Sequence, residues 1–130
     1  MLIDASAILS IVFEEPEAAQ FAQAIAAAPE RLMSVVNWFE VMMVVESRLG
    51  RASADKARLI LEELEITPLP FDAVQLREAV DVWRRYGKGK HSAALNMGDC
   101  CAYAAAVSTG NDLLFKGNDF ILTDISRAAW

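Results

Sequence analysis

Short apolar runs, each long enough for one buried strand, alternate with helix-periodic segments along the whole chain, and this alternation most narrows the folds open to it. The strand candidates are "MLI", "RLMSV", "EITPLP", "DLLF" and "FILTD". Between them lie "ASAILSIVF", an alanine-rich helix over 16–28 opened by Pro16 and Glu17, and a helix from Val36 to Leu49 closed by Gly50. A further helix over about Ala54 to Leu64 takes Ser53 as its cap, and two more run from Asp72 to Tyr86 and from Gly98 to Thr109. "GKGKHSAALNM" reads as a loop. Strands separated by helices pair in parallel, so the expected class is α/β, with helices packed on a short, mostly parallel central sheet.

At 130 residues the chain supports one core and one domain, residues 1–130. Hydrophobic residues make up 55% of it, an excess that suits an apolar surface used for association, and a homodimer is expected. The longest apolar stretches, such as "VMMVV" between Glu40 and Glu46, fall far short of the ~20 residues of a membrane span. The opening "MLIDAS" has no basic region followed by a long apolar segment, which places the protein in the cytoplasm as an expectation. Adjacent Cys100 and Cys101 would point in different directions on a helix and read as small core residues rather than a disulfide or zinc pair. The net charge of −6 argues against holding nucleic acid by bulk electrostatics, so any RNA or DNA contact needs a local basic patch or a bound cation.

Four acids stand where strands end or helices begin. Asp4 follows the apolar "LI", at the carboxyl edge where open parallel sheets collect ligands; taken alone, a cap for the next helix is its plainer reading. Glu40 sits in "VVNWFEVMMVV", a helix apolar nearly all round, where it shares a narrow polar stripe with Asn37; the stripe faces either an ion or polar partner, or water. Asp99 opens "CCAYAAAV", where a carboxylate caps free N–H groups and meets the favourable end of the helix dipole, while the small side chains behind it let the helix pack tightly and fix the acid. Asp119 follows "LLFKGN" and arrives at the same edge as Asp4, with Asn118 beside it as a neutral oxygen. Four such acids in a dry cleft repel one another unless a divalent cation balances them, and hard oxygen ligands suit Mg²⁺ or Mn²⁺.

"MLIDASAIL", Glu40 on its apolar helix, "LNMGDCCAYAAA" and "LLFKGNDF" followed by "TD" together resemble the PIN-domain ribonucleases, and among them the VapC-type toxins of bacterial toxin–antitoxin pairs. The resemblance runs almost end to end. It implies a three-layer α/β/α domain, a Mg²⁺-dependent endoribonuclease with Mn²⁺ able to substitute, dimerisation, and a cognate antitoxin protein. Its acidic set falls on Asp4, Glu40, Asp99 and Asp119, with Asp4 and Asp99 as metal ligands. Ser6 stands where the family has a small hydroxyl residue that supports the site, and Asn118 where related chains often carry an acid.

The chemistry this implies is hydrolysis of RNA phosphodiesters, in which carboxylates orient and deprotonate a water. "RRYGKGKH" at 84–91, with Lys116, is the dense basic stretch that could hold an RNA backbone; a solvated helix end is its plainer reading. His91 reads as a phosphate contact or bystander, and "GKGKHS" lacks the P-loop spacing. A Mg²⁺-dependent phosphatase of the haloacid-dehalogenase kind needs a second Asp two residues after the first, where this chain has Ser6. A non-catalytic binding module, with the acids as caps or ion pairs, is the alternative of another kind.

Overall fold

The computed structural model describes residues 1–130. Strand β1 (Leu2–Ile3) leads into α1 (Ala5–Val12) and α2 (Ala18–Ala27); β2 (Leu32–Ser34) leads into α3 (Val35–Leu49) and α4 (Arg51–Glu63). Strand β3 (Thr67–Leu69) precedes α5 (Ala73–Tyr86) and α6 (Met97–Thr109), and β4 (Leu113–Leu114) completes the sheet. All pairings are parallel, in the order β3-β2-β1-β4. Pro68 lacks an N–H, and it lies in β3 at the edge of the sheet, where a missing donor is tolerated.

Successive residues of a strand point to opposite faces, and two-residue β1 uses one for each layer. Ile3 joins Met33 and Leu114 in a core shared with α1 to α4, including Ile8, Phe21, Val45 and Leu61. Leu2 and Leu113 turn the other way, onto Val82, Leu95, Tyr103 and the alanines of α5 and α6. The result is the three-layer α/β/α arrangement. Helix α6 lies close on the sheet because its inward residues are small: Ala102, Ala104 and Ala105 are fully buried. No helix is long and apolar enough to cross a membrane.

Three boundaries differ from the sequence reading, each for a local reason. "FILTD" is no strand: Phe120–Leu122 form a 3₁₀ turn, and Phe120 is buried against Phe115, ring centroids 4.9 Å apart, instead of extending the sheet. Ser53 does not cap α4. The helix starts at Arg51 because Gly50, at φ +84°, turns the chain directly out of α3, and the Ser53 hydroxyl donates back to the Leu49 carbonyl (3.2 Å). Helix α2 begins at Ala18 rather than Pro16, and Glu15 and Glu17 are drawn instead to Lys116.

Candidate active site

Asp4 is the first residue after β1, and its N–H still donates to the Leu114 carbonyl (2.9 Å), so the sheet itself fixes its backbone. The carboxylate is 4% exposed. Its Oδ2 accepts from the Ser6 amide (2.9 Å) and the Ser6 hydroxyl (2.6 Å), which makes Asp4 the cap of α1 as well. Asp4 is thus a helix cap that stands at the carboxyl edge of the sheet. The Ser6 hydroxyl in turn accepts from the Lys116 amide (2.9 Å), so the segment after β4 holds Ser6, and Ser6 holds Asp4.

Helix α3 begins directly at the carboxyl end of β2, where Ser34 is both the last strand residue and the cap that accepts from the Val36 amide (3.3 Å). Its first turns therefore lie beside Asp4. Asn37 is fully buried, and its amide nitrogen donates to Asp4 Oδ1 (3.3 Å), Glu40 Oε2 (3.4 Å) and the Gly98 carbonyl (3.2 Å). The polar stripe is turned toward the other acids, with Asn37 sealed and Glu40 partly open to water.

Asp99 reaches the same place from the other side of the sheet. Asn96 and Asp99 cap α6 reciprocally: the Asp99 amide donates to Asn96 Oδ1 (2.9 Å) and the Asn96 amide to Asp99 Oδ2 (2.8 Å). The capping role foreseen for Asp99 holds, with the helix start one residue earlier, at Met97. Between Asn96 and Asp99, Gly98 allows α6 and α3 to meet: a Cβ there would lie 2.4 Å from Glu40 Oε2.

The electrostatics bind the group together. Burial raises the Asp4 carboxyl above its ordinary range, against the hydrogen bonds from Ser6, and Asp119 adds to the rise. Burial raises Glu40, helped by Asp4 and opposed by the Asn37 donor. Asp99 is pushed up to about 7, by burial first and then by Asp4, Asp119 and Glu40. Asp119 is an exposed residue at the start of the 3₁₀ turn, near enough to act on Asp4 and Asp99. Asn118 contributes a backbone carbonyl to that turn, accepting from the Ile121 amide (3.2 Å), and its side chain makes no hydrogen bond to the acids. No lysine or arginine pairs with any of the four acids. No three of their carboxylates converge closely enough to ligate one ion together.

The basic stretch is mostly engaged elsewhere. Lys116 Nζ is clamped between Glu15 (2.8 Å) and Glu17 (3.0 Å), Arg84 pairs with Asp81 (3.1 Å), and Arg85 bridges Asp124 (3.3 Å) and Glu78 (3.8 Å). Lys88 and Lys90 have no carboxylate partner; Lys90 lies over the Trp83 ring and Lys88 lines an apolar groove of about 560 Å³ between α3, α5 and the start of α6. His91 Nδ1 accepts from the Ala93 amide (3.1 Å) and its ring meets Tyr86 edge-on, which makes it a loop-fixing residue. Cys100 and Cys101 are buried free thiols, and burial pushes Cys100 up to about 11, so both are unreactive packing residues.

Sequence reasoning put Asn37 on the right face and gave it no task; its three-residue spacing from Glu40 was the available signal. It missed Asn96 and the close approach at Gly98, for which the run "NMGD" was the signal.

The comparisons with known proteins converge on one family. The PIN domain profile matches residues 1–125. A ribonuclease VapC of Mycolicibacterium smegmatis is 42% identical, the alignment covering 97% of this chain and 98% of that protein. Among solved structures, Mycobacterium tuberculosis VapC20, described as a toxin that cleaves the sarcin–ricin loop, superposes with a TM-score of 0.76 at 14% identity, covering 95% of each chain. VapBC2 from Rickettsia felis, bound to a DNA fragment from its promoter, gives 0.76 at 10% identity over 97% of this chain and 94% of that one. Such low identities speak for the fold, and the VapC relative speaks for the family. The chain belongs to the PIN-domain family, within its VapC ribonucleases.

Proposed function

We propose that the protein hydrolyses RNA phosphodiester bonds with the help of a divalent cation and acts as the toxin of a toxin–antitoxin pair in the cytoplasm. The observation that carries this reading is the meeting of Asp4, Glu40 and Asp99 at the carboxyl edge of a parallel sheet, with Asp119 in electrostatic reach and no cationic side chain to balance them. The donor set is all hard oxygen, which fits Mg²⁺ or Mn²⁺. Mg²⁺ usually takes one or two carboxylates and keeps several waters, and this suits Asp4 and Asp99 as its protein ligands. When bound, such an ion stabilises charge on the reacting phosphate and lowers the pKa of water. Asp4 is held for this by Ser6 and Asn37, and Asp99 by Asn96. Glu40 and Asp119 hold and orient water beside them, with Asn118 a lesser contributor. Lys88 and Lys90 are the unpaired cations left to meet an RNA backbone.

Two partners complete the reading. Leu76, Trp83 and Met97 are exposed in the lining of the apolar groove, and Phe39 and Met43 are exposed in a smaller pocket that adjoins it at Val36 and Met97. Homodimer interfaces are the more apolar class, so a second copy of the chain is the occupant proposed for this face. A cognate antitoxin would cover the acidic cleft with an arginine against the carboxylates.

The test is incubation of the purified, antitoxin-free protein with total RNA, with Mg²⁺, with Mn²⁺ and with excess chelator. Cleavage that needs the cation and disappears in Asp4→Asn is the expected result. Equal cleavage in chelator, or none under any condition, would overturn the proposal.

A further inference from the structure

Asn37 is an unusual residue to bury. It is fully enclosed, and while its amide nitrogen serves three acceptors, its Oδ1 has no hydrogen-bond partner at all. A buried acceptor left unpaired keeps its full desolvation penalty, and an apolar side chain of the same shape would avoid that cost. Self-satisfaction therefore does not explain an asparagine here. Its three acceptors do. They belong to Asp4 at the end of β1, Glu40 on α3 and the Gly98 carbonyl at the start of α6, one turn position from Asp99. The contacts are long, 3.2 to 3.4 Å, as expected when two hydrogens are shared among three oxygens.

We propose that Asn37 is a positioning residue of the acidic site: its carboxamide ties Asp4 to Glu40 and to the first turn of α6, and so sets the spacing between the carboxylates of three elements. Without that donor Asp4 keeps its bonds from Ser6 on Oδ2, but its Oδ1 and Glu40 Oε2 lose the group that links them, and Gly98 loses its link to α3. The nitrogen is the active half of the amide, and the orphaned oxygen is the cost of pointing it at the acids. The inference rests on the cation-dependent reading of the site.

The decisive variant is Asn37→Leu, close to isosteric, which removes the donor and the unpaired acceptor together. Its melting temperature in chelator should equal or exceed that of the unchanged protein. Its affinity for Mn²⁺, measured by calorimetry without RNA, should fall by about 10- to 100-fold, the scale of losses when a group supporting a metal ligand is removed. RNA cleavage should fall in kcat with KM little changed. Asn37→Ser, whose hydroxyl can donate to one carboxylate, should recover part of the Mn²⁺ affinity lost in Asn37→Ala; this pair carries the comparison if the leucine variant does not fold. Wild-type Mn²⁺ affinity and kcat in Asn37→Leu, or equal Mn²⁺ affinity in the serine and alanine variants, would overturn the role of Asn37. Absence of Mn²⁺ binding by the unchanged protein would instead overturn the reading of the site itself.

Discussion

At the scale of single residues, two of the four acids do two jobs. Asp4 caps α1 and Asp99 caps α6 while both keep carboxylate character at the sheet edge. For Asp99 the second job has a measurable signature. Its folded pKa of about 7 lies above the ordinary carboxylate value of 3.8, so between these values the folded state binds the proton that the unfolded state has lost. Asp99 therefore contributes stability at low pH that is lost as pH rises from about 4 to about 7. In chelator, the protein should melt at higher temperature at pH 5 than at pH 8. Asp99→Asn should flatten that slope and raise the melting temperature at pH 8, by roughly 4 °C for each kcal/mol of repulsion removed. A steeper slope in the variant would contradict the assignment. The late loop gives a second comparison. Asp119 acts on Asp4 and Asp99, whereas the Asn118 side chain touches neither. Asp119→Asn should slow cleavage by ~10- to 100-fold and demand more Mn²⁺, and Asn118→Ala should do less. Rates measured across a Mn²⁺ titration decide it, and the reverse order would exchange their roles.

At the scale of elements, the site depends on three helices that begin at one edge of the sheet, and on how closely two of them approach. Gly98 sets that approach between α3 and α6. Gly98→Ala suits a helix better by about 1 kcal/mol, yet its methyl group would displace the Glu40 carboxylate, the flexible end of a side chain. The expected outcome is a fold that melts no lower and a nuclease that cuts more slowly. A variant with unchanged rate would show that Glu40 need not stay where it is. Most helices and strands were legible from sequence because their apolar spacing is strong, and Gly50 does follow the end it marks. The failures were places where tertiary contacts outweigh local pattern. "FILTD" has strand composition, but the fit of Phe120 on Phe115 coils it. Lys116 looked like an RNA contact in a basic neighbourhood, and only the fold brings Glu15 and Glu17, about a hundred residues away, to its ammonium group. Asp4, Glu40 and Asp99 were legible because an acid at a strand end or on an apolar helix needs a reason; the asparagine that joins them sends no such signal.

For the whole molecule, a sealed core and an exposed apolar groove lie side by side. Helices α1 to α4 enclose a core with Phe21, Ile25 and Leu61 fully buried, and Leu61→Ala should cost about 2–5 kcal/mol in urea unfolding. Around the groove between α3, α5 and α6, Leu76 and Trp83 remain about half exposed, as does Met43 on the adjoining face of α3. Met43→Glu combined with Leu76→Glu should convert a dimer into a monomer in light scattering at micromolar concentration without loss of helical content by circular dichroism. A wild-type monomer under the same conditions would remove the second copy from this face. The brevity of the sheet has a consequence for both layers. From Leu2, whose amide meets Asp112 at the base, to Asp4 at the rim, the chain advances about 7 Å. A long strand can absorb a disturbance along its length, as a cable takes up slack; a two-residue strand is a peg. Inserting or deleting one residue there would exchange Leu2 and Ile3 between the layers and turn the following carboxylate away with them. In this molecule, the fit of the core and the aim of Asp4 are a single adjustment.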